Sequence, residues 1–501
     1  VRALVRTARG LLVATGALLL SAHVGSPDTF YEGAAGPYKV RVIIRAPAVI
    51  PAQAEVVVRV LGGRVQGVTA APYVWDAGDA GAPPPDQLAR VAGDTTLWST
   101  HLWIMRGGSY AVRVHVTGAA GEGTAVVPYV AQATTILTMD PKMGIGLAAF
   151  GLFLVVGLLT LVGAASREST LDPGVAPPPE QVRRSWVARG VAAVIIATLL
   201  VLGRVWWNAE NAAYARSVWR PVPLDVATRD SAGRRWLALR LDPEQMDRRR
   251  WSPFIPDHGK MMHLFAVRTD LGAIAHLHPA LVDSTRWLGA LPALAPGRYQ
   301  LFADIVRETG AAETMVGTLT VADSTGGAVG DPDDATWAGQ PGGDQVALSD
   351  GTTLTWARGT APIVAGVEAP LAFVLTDGDG RETSVEPFLG MAGHAMVVRD
   401  SLDVFVHLHP VGTASLAAQQ ALVARTAADT ARGALARRLA AADSTAGAHG
   451  DMPGMVHGDA LPGRFSFPYA FPKAGRYRVF VQFRRGGVIR TVPFEVSVAG
   501  R

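Results

Sequence analysis

The chain has 501 residues, a formal charge of +4 and no cysteine. The length leaves room for about three domains of ~150 residues, and the missing thiols exclude disulfides, thiolate zinc sites and any copper site that needs a Cys ligand. The charge is small for the length and Lys is nearly absent; without a clustered basic face, no nucleic-acid partner is expected.

Arg2, Arg6 and Arg9 precede the apolar run Leu11 to Leu20 and the small pair Ser21-Ala22. Residues 1–22 therefore predict a secretory signal, with an uncleaved N-terminal anchor as the alternative. Cleavage after Ala22 would put His23 first, so that its amino group and imidazole chelate copper together, His101 or His115 completing the site. Residues 23–139 predict an all-β domain. Tyr38 to Ile44 and Ala54 to Val60 are strand-like β-branched runs, Tyr110 to Val116 alternates cleanly, and turn residues intervene. Short strands of this kind suggest an immunoglobulin-like sandwich.

Met143 to Ala165 is 23 residues without a charge, long enough to cross a bilayer. A second span is expected over 186–207, ending in Arg204, Trp206 and Trp207 like an interfacial belt. The intervening loop 166–185 carries Arg167, Arg183 and Arg184, so the positive-inside rule predicts it to be cytoplasmic. Everything after Asn208 then returns outside. The expectation is a cytoplasmic (inner) membrane protein whose bulk, with all 12 histidines, is periplasmic or otherwise extracytoplasmic.

Residues 216–323 and 344–500 predict two further β-sandwiches, joined by a Gly-, Asp- and Pro-rich linker at 324–343. The fold class expected is mostly β: three immunoglobulin-like β-sandwich domains outside the membrane plus two transmembrane α-helices. The two later domains share a motif. His263 precedes His276-Leu277-His278-Pro279, and His394 precedes His407-Leu408-His409-Pro410, at the same spacing. Each motif is followed by a Gly-Arg-Tyr block, at Gly297 and at Gly475. Between motif and block the later copy is longer, because of an insertion at 411–460 that is helix-prone from Leu416 to Ala442. The insertion ends in a Gly/Pro-rich stretch with His449, Met452, Met455 and His457, read either as a loop without packed structure or as a weak copper-capturing segment.

Each motif predicts a β-hairpin, with Asp270 or Asp400 at the bend. An even-length loop places His394 opposite His409 and Met396 opposite His407, and likewise His263 opposite His278 and Phe265 opposite His276. Side chains alternate along a strand and opposite residues lie about 5 Å apart. Three imidazoles then converge on each hairpin, joined by Met396 on the second. Met391 stands where the first copy has Lys260, while His258 and Met261 lie just upstream as extra candidates. Imidazole serves both copper and zinc, and thioether favours Cu(I), so copper is expected and zinc less so. The competing reading is that these histidines are structural, the first stacking in a core and the last fixing a strand end. A change of loop parity would send His394 to the other face.

The pattern Glu386-Pro387-Phe388-Leu389-Gly390-Met391-Ala392-Gly393-His394, with Val404 to Pro410, resembles a domain of bacterial exported and membrane-anchored proteins of heavy-metal handling. The resemblance covers roughly 344–410 and 462–500. The sandwich-plus-membrane-helix layout is similar to YtkA-like proteins, and a mature His23 is similar to CopC-type copper binders, although the rest of the CopC histidine pattern has no clear counterpart. These resemblances imply an envelope protein with immunoglobulin-like domains and copper binding. The expected function is copper binding or delivery at the membrane, to a metal-receiving or larger membrane complex. The alternative is a non-enzymatic structural subunit docking onto such a complex. No acid–base carboxylate pair, nucleophile elbow, phosphate loop or His-Glu-x-x-His appears, and nothing points to a particular reaction.

Overall fold

The computed structural model describes residues 23–24, 28–75, 81–172, 174–244, 252–324, 327, 330–426, 429, 431–445 and 460–501. Strands dominate, arranged in several sheets. Residues 1–132 with 220–501 form one compact unit, and 133–219 form another.

The N-terminal portion of the first unit carries two sheets. Thr29–Ala35, Tyr38–Arg45, Ala52–Val60, Asp94–Ile104 and Ala89–Val91 make one; Gly121–Ala131, Gly108–Gly118, Val65–Val74 and Asp86–Gln87 make the other. The alternation read in the sequence fixes which side chains are inside. Val40, Val42, Val56 and Val58 from the first sheet, and Val68, Val114 and Val116 from the second, are fully buried.

The two His-bearing regions, repeat A and repeat B, share one strand order. In repeat A the hairpin His263–Arg268 and Ala273–Leu277 pairs through its first strand with Gly297–Arg307, which pairs with Ala312–Val321. In repeat B, His394–Arg399 and Val404–Leu408 stand in the same relation to Gly475–Arg485 and Val488–Ala499. Both hairpins turn the same way. Leu271 and Leu402 occupy the same position with φ of 60° and 58°, and the Asp270 carboxylate accepts from Gly272 N at 2.9 Å. The free edge of each hairpin is covered. Ala335–Ala338, inside the segment read as a linker, adds antiparallel to Ala273–Leu277, and His23–Val24 adds parallel to Val404–Leu408.

These hairpins are buried on both faces, which explains why each strand reads as a nearly unbroken apolar run instead of an alternation. One face feeds its own core: Leu264, Ala266, Ala275 and Leu277 in repeat A, and Ala395, Val397, Val406 and Leu408 in repeat B. The other faces lie against each other. Phe302 of repeat A stacks on Phe405 of repeat B with ring centres 4.1 Å apart and planes 5° from parallel, and Phe265 packs on Phe405 at 5.2 Å.

The insertion in repeat B forms helices Leu416–Ala424 and Ala434–Thr445. Ser415 caps the first. Their buried alanines and Leu435 pack with Trp75, Ile255 and Val306 from outside repeat B. Acids of repeat A hold both helix starts: Asp257 accepts from Ala417 N at 2.8 Å, and buried Glu308 accepts from Gly433 N at 2.7 Å.

In the second unit, helices Pro141–Glu168 and Pro179–Ser217 are each long and apolar enough to cross a membrane. Asp140 caps the first by accepting from Lys142 N and Met143 N, with Pro141 entering the first turn, where its missing N–H costs nothing. The second runs well beyond the expected 186–207 at both ends, so only residues 169–178 separate the two helices. Leu154, Phe153, Leu199 and Leu200 stay more than half exposed.

Candidate metal centre

The register predicted from loop parity is the one observed: Met396 pairs with His407, Phe265 with His276. His263, His276 and His278 accordingly present ring nitrogens within 4.8 Å of one another, and so do His394, His407 and His409. Because the two hairpin faces oppose each other, the triads adjoin. His263 lies 5.4 Å from His407, and His276 lies 5.8 Å from His407, between ring centres.

A seventh imidazole joins them. His258 sits in the left-handed region at φ 53°, ahead of Gly259, and reaches across to 4.9 Å from His409 and 5.5 Å from His394. Left-handed backbone in a non-Gly residue is uncommon, though His is among the residues enriched there. Repeat B makes the same turn with Leu389 at φ 52°.

Hydrogen bonds fix which nitrogens are free. His263 Nε2 faces the Asp257 carbonyl oxygen at 3.1 Å, and His394 Nε2 faces that of Phe388 at 3.2 Å. A carbonyl only accepts, so both Nε2 atoms carry the proton and both Nδ1 atoms keep a lone pair in the neutral ring. Those Nδ1 atoms meet His276 Nε2 and His407 Nε2, each at 3.1 Å. The second histidine of each triad turns its Nδ1 to a polar group of the opposite repeat: His276 to Gln482 Oε1 at 2.8 Å, His407 to Asp304 Oδ2 at 3.4 Å. When these Nδ1 atoms donate, two lone pairs face each other in each repeat. The third histidine of repeat A directs Nδ1 to Asp334 at 3.1 Å.

This arrangement fits a metal ion. An ion held tetrahedrally about 2.0–2.1 Å from each nitrogen sets its ligands about 3.3 Å apart, close to the 3.1 Å between the first and second histidines of each set. Ligating histidines usually donate their second N–H to a carbonyl or carboxylate oxygen; five of the six triad rings face such an oxygen, and His409 faces none among the described residues. His278 Nε2 and both ring nitrogens of His258 and His409 are buried with no hydrogen-bond partner among the described residues. An unsatisfied buried polar atom costs about 1–3 kcal/mol, so several together call for a ligand.

Burial also sets the protonation. Desolvation, reinforced by neighbouring imidazoles, pushes His276, His278, His394, His407 and His409 well below the usual histidine value. Desolvation likewise brings His263 down to about 4, against the opposing pull of Asp257. The rings are neutral at physiological pH, the form that binds metal. Burial lifts Asp304 to about 7, with the Thr314 hydroxyl opposing.

The remaining candidates divide. Met396 is fully buried on the His394 side of its strand. Met391 closes the turn with Phe388, Met261 packs on the repeat A core, and Lys260 pairs with Asp331 and Asp333. His23 has its backbone paired with Val404, at the far end of the strand from His407. His115 bonds Thr124 at 3.0 Å and His101 sits on the other N-terminal sheet; neither joins a converging ligand group among the described residues. His449, Met452, Met455 and His457 lie outside the described residues.

Sequence reasoning missed the supporting polar groups. Asp304 and Gln482 hold equivalent positions beside His263 and His394, each the one polar residue in an apolar run, Leu301–Val306 and Val479–Phe483, after the Gly-Arg-Tyr block. That shared position was a readable signal. Asp334 lay in the presumed linker and had none.

Residues 345–500 match a family described as a domain of unknown function (DUF8832). No curated protein matches. Among solved structures, the chain is similar to a bacterial ice-binding adhesin at 7% identity, covering 90% of this chain and 91% of that one with a TM-score of 0.15. Fibronectin(III)-like modules of Clostridium thermocellum CbhA match at 8% identity, covering 55% and 94%, with a TM-score of 0.13. Chicken CNTN1 FN1–FN3 domains match at 8% identity, covering 94% and 98%, with a TM-score of 0.14.

Proposed function

We propose that this is a membrane-anchored, extracytoplasmic metal-binding protein that holds copper through the histidines of its duplicated hairpins. The observation that carries the reading is the convergence of three neutral, deeply buried imidazoles in each repeat, with ring nitrogens paired at 3.1 Å. Neutral nitrogen ligands with carboxylates kept outside the immediate set suit copper, and a buried thioether beside His407 adds to that preference. Zinc is the less favoured ion.

The anchor in this reading is the helix pair 141–168 and 179–217 in the cytoplasmic membrane, with their short connection inside and both flanking portions in the periplasm. Three immunoglobulin-like units make up the outer part. Their shared signature is a Gly-x-Tyr corner: Tyr110, Tyr299 and Tyr477 each donate a hydroxyl hydrogen bond to the carbonyl four residues upstream, at 3.0, 2.7 and 2.8 Å. A tyrosine reaching back to upstream backbone is a feature of immunoglobulin-type sandwiches. Gly108, Gly297 and Gly475 precede them at φ of 137°, 148° and 138°, backbone that favours glycine. Delivery to a metal-receiving membrane partner follows naturally from that placement.

The full chain, purified in detergent, loaded with Cu(I) and desalted, tests the reading by elemental analysis. Retained copper that is lost in a His263→Ala, His276→Ala, His394→Ala, His407→Ala variant supports it. Absence of copper after loading, or retention unchanged by those substitutions, overturns it.

A further inference from the structure

Three further places hold polar clusters: His278 with Asp331 and Asp334, Asp257 with His258 and His409, and the charged recess around Arg45, Glu55 and Lys473. The first two share ligands with the triads and belong to their surroundings. What the triads do together reaches further.

We propose that repeats A and B hold one binuclear centre, two copper ions on adjoining three-histidine sets, each set supported by a residue of the other repeat. The inference rests on the metal-binding reading above and adds stoichiometry, interaction and mutual dependence.

The geometry gives three independent reasons. First, the sets adjoin: His407 of one lies 5.4 Å from His263 and 5.8 Å from His276 of the other, ring centre to ring centre. Second, supports are exchanged. Gln482 of repeat B receives His276 of repeat A, while Asp304 of repeat A receives His407 of repeat B. Each supporting residue is the strand neighbour of the first histidine in its own repeat, so the exchange is reciprocal. Third, His258 leaves its own repeat to sit against His394 and His409. Its ring nitrogen comes within ligand-sharing distance of His409, beside Asp257, and repeat B offers the first set no equivalent imidazole, because it has Leu389 at that turn. The two ions are therefore inequivalent.

The charges agree with this assignment. Two monovalent ions on neutral rings would bring two positive charges into a buried volume that already borders Asp257, Asp304 and Asp334. Buried charge is tolerated when paired nearby.

The full chain in detergent again serves. Elemental analysis of the loaded protein is expected to give two coppers per chain, and one in either His276→Ala, His278→Ala or His407→Ala, His409→Ala variants. Oxidised to Cu(II), the two-copper form is expected to show a half-field paramagnetic resonance line or a spin count well below two, and each one-copper variant an ordinary isolated spectrum.

The exchanged supports are tested by Gln482→Leu. It is expected to weaken the one-copper form that keeps His263, His276 and His278 by about 10–100-fold, and to change the other one-copper form much less. Gln482→Glu, which keeps an acceptor oxygen, is expected to restore affinity if the leucine variant folds poorly. One copper per chain, or two with the summed spectrum of isolated centres, overturns the binuclear proposal and leaves metal binding standing. No copper at all removes both.

Discussion

His258 and Leu389 make the same turn with the same left-handed backbone, yet only one can bind a metal. That pair provides a natural substitution. His258→Leu puts at the first turn the residue the second already accepts, so the backbone has no new conformation to adopt. The thermal midpoint of the metal-free protein is expected to move by no more than a few degrees, whereas copper affinity falls at least severalfold. Equal losses of stability and affinity would instead make His258 a packing residue. The opposite case is Phe405, which stacks on Phe302 across the two repeats. Phe405→Ala is expected to cost about 3–5 kcal/mol of stability in urea denaturation, and to loosen copper by separating the hairpin faces.

At the scale of elements, the inserted helices are secured at their starts by acids of repeat A as well as by apolar packing along their lengths. Glu308→Ala leaves Gly433 N and Ala436 N without their acceptor in a buried place. The expected loss is about 1–3 kcal/mol, with faster proteolysis within 425–433 than in the native chain. An unchanged cleavage rate would mean that the helix stands without its acid.

Much at this scale was legible. Loop parity gave the hairpin register, the Ala-rich run gave helices near 416–442, and the repeated spacing gave the triads. What was not legible depended on tertiary partners. Ala335–Ala338 is a strand only because an open sheet edge lies beside it, and Asp331 to Asp334 read as part of a linker because their cationic and imidazole partners lie far away in sequence. The burial of both hairpin faces had a local trace, the unbroken apolar runs at 264–267 and 395–398, but a run alone does not say what covers the second face. Fibre-like alternation would have hidden it altogether.

For the whole molecule, the buried histidines link stability to pH. Six rings have folded values below 6.5, so on acidification the unfolded chain takes up protons that the folded chain refuses. Asp304 acts oppositely, holding a proton when folded that the unfolded chain has lost. Asp28 and Asp334, also raised by burial, act the same way as Asp304, and six histidines against these three carboxyls leave the histidines dominant. The metal-free protein is expected to lose stability steadily from about pH 6.5 toward pH 4, each histidine contributing up to about 1.4 kcal/mol per pH unit. A denaturation midpoint that stays level from pH 7.5 to 5 would contradict this burial.

Membrane disposition is equally open to measurement, helped by a chain that has no cysteine. In intact inner-membrane spheroplasts, Val175→Cys between the two helices is expected to resist an impermeant thiol reagent, and Gly343→Cys in the outer portion to react. The reverse labelling pattern would invert the proposed topology.

The paired hairpin faces also bear on what happens when the chain is divided. A fragment beginning near residue 344 would display Phe405, His394, His407 and His409 to water, with Gln482 lacking its imidazole. Another molecule of the same fragment carries a matching surface, and a two-fold pairing would cover both. Such a fragment is expected to run as a homodimer in size-exclusion chromatography, with two identical ligand sets in place of two unlike ones.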